Sequence, residues 1–100
     1  MKFRYWTLLK SDTHGLGVFA ANRIRKYSFI DIAVREDKSV TALAMLLNHS
    51  YRPSAKIMYN FTTKTYNIYS IKTIDKGKEI TINYYATPYF IRKCILLDED

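Results

Sequence analysis

The sequence is poor in cysteine. Cys94 is the single one among 100 residues. Neither an internal disulfide nor a cysteine zinc cluster can form on it, so no metal centre is expected and a reducing compartment fits. Acid is also scarce: 9 Asp and Glu stand against 16 Lys and Arg, a formal net charge of +7. That balance favours acidic partners, nucleic acid or nucleosomes. The basic residues are scattered, so a solvated basic surface and a direct DNA contact both stay open. The acids that cluster do so at Asp98-Glu99-Asp100, which reads as a tail. No apolar run reaches spanning length, so no transmembrane helix and no membrane partner are expected. Met1-Lys2-Phe3-Arg4 is not followed by an apolar stretch and a small-residue cleavage site, so no secretory leader is read and an intracellular location is expected. Repeats and low-complexity tracts are missing too.

What is present is apolar bulk. Hydrophobic residues are 48% of the chain, enough for a globular fold, and the length suits one domain, 1–100, with one modest core. Residues 2–10 read as an aromatic N-terminal strand, followed by a loop in which His14 is a surface residue. Gly15-Leu16-Gly17 opens a short strand, Val18-Phe19-Ala20. Two glycines around one residue allow a sharp turn and a close ligand approach, or a plain turn. Tyr27 to Val34 alternates as a strand, with Tyr27, Phe29, Asp31 and Ala33 on one face. Ser39 is a plausible N-cap for a helix over 40–47, where Val40, Leu43, Ala44 and Leu47 recur at helical spacing. Residues 55–61 and 65–74 make an aromatic hairpin, 78–84 another strand, and 88–97 a short closing helix. The class is mainly β with one confident short helix.

Asn48-His49-Ser50-Tyr51-Arg52-Pro53 sits where the helix exits. An amide, an imidazole and a hydroxyl there can hold a polar ligand against the core, or form an ordinary turn. Gly77-Lys78-Glu79-Ile80-Thr81-Ile82-Asn83-Tyr84 is the third notable stretch.

Together the three stretches resemble a SET-domain protein lysine methyltransferase. Residues 15–20 look like the GxGxFA strand, Asn48-His49-Ser50 with Pro53 like the NHSxxPN motif, and residues 77–84 like GEEIT-x-x-Y. The similarity runs from about residue 4 to residue 92. It is closest in kind to the minimal virus-encoded SET proteins, which lack pre-SET and post-SET modules. The resemblance implies the SET β-clip fold, several small sheets with a C-terminal pseudoknot. It implies methyl transfer from S-adenosyl-L-methionine to a protein lysine, with histone or nucleosome as the usual target and a nuclear location in that case, a cytoplasmic one otherwise.

The resemblance also assigns roles. Tyr84 is the catalytic tyrosine. Asn48, His49, Gly15, Leu16 and Gly17 bind the cofactor. Tyr89 and Phe90 fall where an aromatic pair closes the lysine channel and covers the adenine. Ile82, two before the tyrosine, has no hydroxyl to fill the space of a second methyl, which implies di- and trimethylation. Alignment and deprotonation of the lysine amine suit an apolar, aromatic channel, since burial lowers an amine's pKa. Three positions depart from the pattern: Ser54 for asparagine, Asn83 for an acid and Tyr51 for cysteine. The segment before the helix is short, which puts the peptide groove in question and points to a homodimer as a way to recover burial. Two other readings stay open. One is a SET-type module that binds without turnover. The other is a basic β domain that binds nucleic acid through Tyr59, Tyr66 and Tyr69 on one face with Lys56, Lys64 and Lys72.

Overall fold

The computed structural model describes residues 5–12 and 15–97. His14, the start of the expected N-terminal strand and the acidic terminus lie outside them. Two small sheets carry the fold. The first has β1 (Trp6–Lys10), β2 (Leu16–Ala20), β7 (Glu79–Ile82) and β4 (Asn48–His49), in the order β1-β2-β7-β4. The second has β3 (Phe29–Val34), β6 (Thr65–Ser70) and β5 (Ala55–Asn60), in the order β3-β6-β5. Two helices, α1 (Ala42–Leu46) and α2 (Tyr89–Leu97), and a 3-10 turn, Tyr84–Ala86, complete it. Branched aliphatic side chains fill the space between these elements. Val18, Ile24, Leu47, Ile68, Ile80, Ile82, Ile91 and Ile95 are all closed to solvent.

Helix α1 starts later than Ser39 suggests. The N-cap is Thr41, whose hydroxyl accepts from the Ala44 N–H at 3.2 Å. The cause lies outside the segment. Val40 bridges Val34, and the Thr41 N–H donates to the Ala33 carbonyl at 2.9 Å. The chain is therefore held extended through residue 41. Ser39 instead donates its hydroxyl to Asp37 at 2.6 Å in a side-chain turn, which keeps the Asp37 carboxyl below its ordinary range. The helix also stops early, because Leu47 turns extended and the next two residues join β7 in a parallel pair. The ordinary-turn alternative for Asn48-His49 is thereby replaced by a two-residue strand.

Strand β3 begins at Phe29, not Tyr27, because Tyr27 takes a positive φ of 66°. Its pairing with β6 shifts register twice, between Phe29 and Asp31 and between Ile32 and Val34. Simple alternation fails there, and Ala33 and Val34 are both buried. The hairpin is regular, with Tyr59 opposite Tyr66 and Lys56 opposite Tyr69. Tyr59 and Tyr66 thus face one side and Tyr69 the other. The single aromatic face of the nucleic-acid reading does not exist. The later strands are shorter than their apolar patterns. β6 ends at Ser70, and β7 ends at Ile82, where the Asn83 side chain caps the 3-10 turn by accepting from the Tyr85 N–H. Among the described residues no helix is long and apolar enough to cross a membrane.

Candidate active site

The parallel pairing of β4 with β7 sets Asn48 beside Thr81 and His49 beside Ile82. This is a mid-chain segment laid against a late one. The antiparallel pairing of β7 with β2, Val18 opposite Ile80, brings in the glycine stretch. All three motif stretches thereby meet on one sheet.

Their meeting point is Glu79. Asn48, 5% exposed, donates its amide to Glu79 Oε2 at 2.7 Å. The Ser11 hydroxyl donates to Glu79 Oε1 at 2.9 Å. A Cβ on Gly17 would lie 2.5 Å from Glu79 Oε2 and 3.2 Å from Asn48 Nδ2. Only glycine leaves room for that network. Gly15 is glycine for another reason: its φ is 45° and nothing crowds it. Leu16, between them, is exposed at the start of β2. Glu79 and Ser11 are not among the residues singled out from sequence. A signal for Glu79 existed, since it is the charged residue out of phase with buried Ile80 and Ile82. Ser11 gave none.

His49 is oriented by its neighbours. Its Nδ1 accepts from the Tyr84 N–H at 3.0 Å, so in the neutral ring the proton resides on Nε2. That Nε2 is buried with no hydrogen-bond partner. Three tyrosine rings surround the imidazole: Tyr51 at 4.4 Å, Tyr84 at 5.1 Å and Tyr85 at 5.5 Å. Tyr51 and Tyr85 are exposed and stack parallel, 6.1 Å apart. The neighbouring Tyr85 phenol raises the pKa of Tyr51 above the ordinary tyrosine value.

Tyr84 itself is buried. Its hydroxyl donates to the Leu47 carbonyl at 2.7 Å, at the carboxyl end of α1. Its two ends are thus tied to Leu47 and His49, and the phenol is held rigidly. A phenol that donates its proton presents its oxygen as an acceptor.

The remaining candidates separate. Ile82, 1% exposed, walls a small cavity of about 170 Å³ with Ile57, Asn83 and Ala86. Phe90 packs edge-on against Tyr66 at 5.2 Å and lines a different, larger cleft. Tyr89 is 66% exposed with the Arg92 guanidinium over its ring, and lines neither. The structure therefore joins Gly17, Asn48, His49 and Tyr84, sets Ile82 beside His49 in the sheet, and leaves Tyr89 and Phe90 apart.

Residues 30–85 match the family model of the SET domain. The structure is similar to that of a Plasmodium falciparum protein described as a candidate histone methyltransferase. That similarity has 25% identity and a TM-score of 0.66, over 83% of this chain and 95% of that one. It is also similar to a chain of a humanized mutant of the Chaetomium thermophilum Polycomb Repressive Complex 2, solved with an inhibitor bound. There the identity is 24% and the TM-score 0.65, over 85% of this chain and 15% of that one, a likeness of fold alone. No curated protein matches the sequence.

Proposed function

The chain belongs to the SET-domain family, and from that premise we propose that it transfers methyl groups from S-adenosylmethionine to a protein lysine. The observation that carries the reading is the double tether of Tyr84. Its backbone is bonded to His49 and its hydroxyl to Leu47, so the tyrosine of one motif is fixed against the Asn-His pair of another. Membership of the family and the similarity to the Plasmodium protein support a lysine methyltransferase in general terms.

The residues fit the cofactor. A ligand with an amino-acid head needs acceptors for its ammonium and backbone close enough to touch. Asn48 and Glu79 supply an amide and a carboxylate, and Gly17, with no Cβ, lets both sit against its main chain. When bound, the cofactor supplies a methyl group on a sulfonium. The chain's own residues do the rest. Asn48, locked by Glu79, offers its carbonyl in one orientation. His49 holds the Tyr84 backbone. The Tyr84 oxygen, its proton committed to Leu47, accepts from the amine of the target lysine and aims its lone pair. Holding a nucleophile at near-attack geometry supplies much of the rate enhancement of such a transfer. Ile82, apolar and closed to water, gives the amine no second hydrogen bond, and on that ground we extend the reading to di- and trimethylation. A histone or nucleosome substrate, a nuclear location and a homodimer remain part of the proposal. The first two take their support from the family and from the similarity to the Plasmodium protein, and the homodimer from the modest core of so short a chain.

The experiment is a thermal shift with S-adenosylmethionine or its demethylated product, followed by methyl transfer to lysine peptides and nucleosomes. Ligand at 100 times its dissociation constant should stabilise the protein by about 2.7 kcal/mol. Absence of any shift, in a folded protein, overturns the reading.

A further inference from the structure

The larger cleft, about 610 Å³, lies within the size range of ligand sites. One wall is the loop after β3, with Arg35, Glu36 and Lys38. The other is the hairpin tip, with Tyr59, Lys64 and Tyr66, and Phe90 closes it from α2. Its position relates it to the chemistry. Tyr59 and Ile57 point from the same side of β5 two residues apart, about 7 Å. Ile57 walls the small cavity that Ile82 closes, and Tyr59 walls the cleft. The cleft is thus the next station along β5 from the cavity walled by Ile82, the last residue of β7.

Its chemistry is apolar at the back and cationic at the rim. Tyr59 meets Tyr66 at 4.9 Å, and Tyr66 meets Phe90 at 5.2 Å, both edge to face. Three cations stand against one acid, and no ion pair within 4.0 Å neutralises any of the four among the described residues. Lys38 and Lys64 both have positive φ, 73° and 59°, at positions where glycine or asparagine would be less strained.

We propose that this cleft receives the substrate segment flanking the target lysine, and that the segment is acidic with one apolar side chain. The proposal rests on the methyltransferase reading for its substrate but on the cleft's own charge for its specificity. An apolar side chain enters between Tyr59, Tyr66 and Phe90, while neighbouring carboxylates meet Arg35, Lys38 and Lys64. An arginine-rich tail meets repulsion at the same rim, so within a histone or nucleosome substrate the cleft favours an acidic segment over a basic tail. A nucleic-acid strand fits less well. The edge-to-face rings offer no parallel platform for stacked bases, and Glu36 interrupts a track for continuous phosphates.

The test uses three fluorescein-labelled peptides with one central lysine and one phenylalanine, differing only in Glu, Gln or Arg flanks. Fluorescence anisotropy on the full chain should rank them Glu, Gln, Arg, with steps of up to about fivefold per rim charge engaged, shrinking at high salt. Lys64→Glu, in an exposed turn, leaves two cations facing two acids and should flatten the ranking. Lys64→Gln should narrow the steps, and serves if the reversed charge impairs folding. KM in methyl transfer should follow the same order. Equal binding of the three peptides by the parent, or steps undiminished in Lys64→Glu, overturns the proposal. So does an oligonucleotide that displaces the acidic peptide and itself loses affinity in Lys64→Glu. The two readings fail separately. Methylation without flank preference sinks the cleft and spares the enzyme. Flank preference in binding with no cofactor shift does the reverse.

Discussion

Tyr84 and His49 are joined twice: the tyrosine N–H donates to the imidazole Nδ1 at 3.0 Å, and the two rings lie 5.1 Å apart. The backbone bond does not depend on the phenol. A change confined to the hydroxyl therefore leaves the histidine in place.

Tyr84→Phe should accordingly keep the cofactor-induced thermal shift. It removes the donor to the Leu47 carbonyl, a buried bond, and should lower stability by about 1–2 kcal/mol. Turnover should fall about 100-fold or more, the scale of a lost positioned proton acceptor. Calorimetry and a methyl-transfer assay check the two effects, and equal rates in mutant and parent exclude the role given to Tyr84.

Asn48→Ala should abolish the thermal shift. It deletes a ligand group and also strips Glu79 Oε2 of its 2.7 Å donor. Leaving such an acceptor short costs about 1–3 kcal/mol. A mutant that is folded by circular dichroism and still shifts with cofactor would count against the placement of the site.

Gly17→Ala and Gly15→Ala should differ in kind. At Gly17 the new methyl meets Glu79 Oε2 at 2.5 Å, and the carboxylate that must move is held by both Ser11 and Asn48. Cofactor affinity should fall at least tenfold. At Gly15 there is space but φ is 45°, so the loss is one of stability, about 1 kcal/mol, with affinity little changed. Isothermal titration beside denaturant melts separates them. Similar affinity losses in both would show that the cradle is not the point of contact.

Ile82→Tyr should restrict the product toward monomethyl-lysine. The cavity beside Ile82 is only about 170 Å³, and a tyrosine would fill space that added methyl groups need. Mass spectrometry of a lysine peptide after long incubation with excess cofactor reads the outcome. A parent enzyme that halts at one methyl group rules the assignment out.

The motif stretches were legible because each breaks a local rule. Gly15-Leu16-Gly17 puts two glycines at the start of a strand, and three polar residues follow an apolar helix. A strand pattern ends in Asn83-Tyr84. What sequence could not supply came from partners far along the chain. Thr41 rather than Ser39 caps α1 because β3 holds Val40 extended, and nothing within the segment reveals that bridge. Tyr69 parts from Tyr59 because hairpin register decides the face. Lys38 and Lys64 share a rim only once the hairpin tip lies opposite the loop after β3. Glu79 was in view as a motif letter, but its place between Ser11 and Asn48 required the sheet order.

That sheet order bears on how the protein is made. Asn48 reaches Glu79 across 31 positions, and Ser11 reaches it across 68. Contacts of such separation form late and slowly, because loop-closure entropy must be met first. During synthesis the carboxylate at the centre of the site emerges after both of its donors, so neither can settle before Glu79 leaves the ribosome. The binding corner is then a late part to close. A small molecule that fits it acts as a latch on the whole fold, slowing unfolding more than it speeds folding.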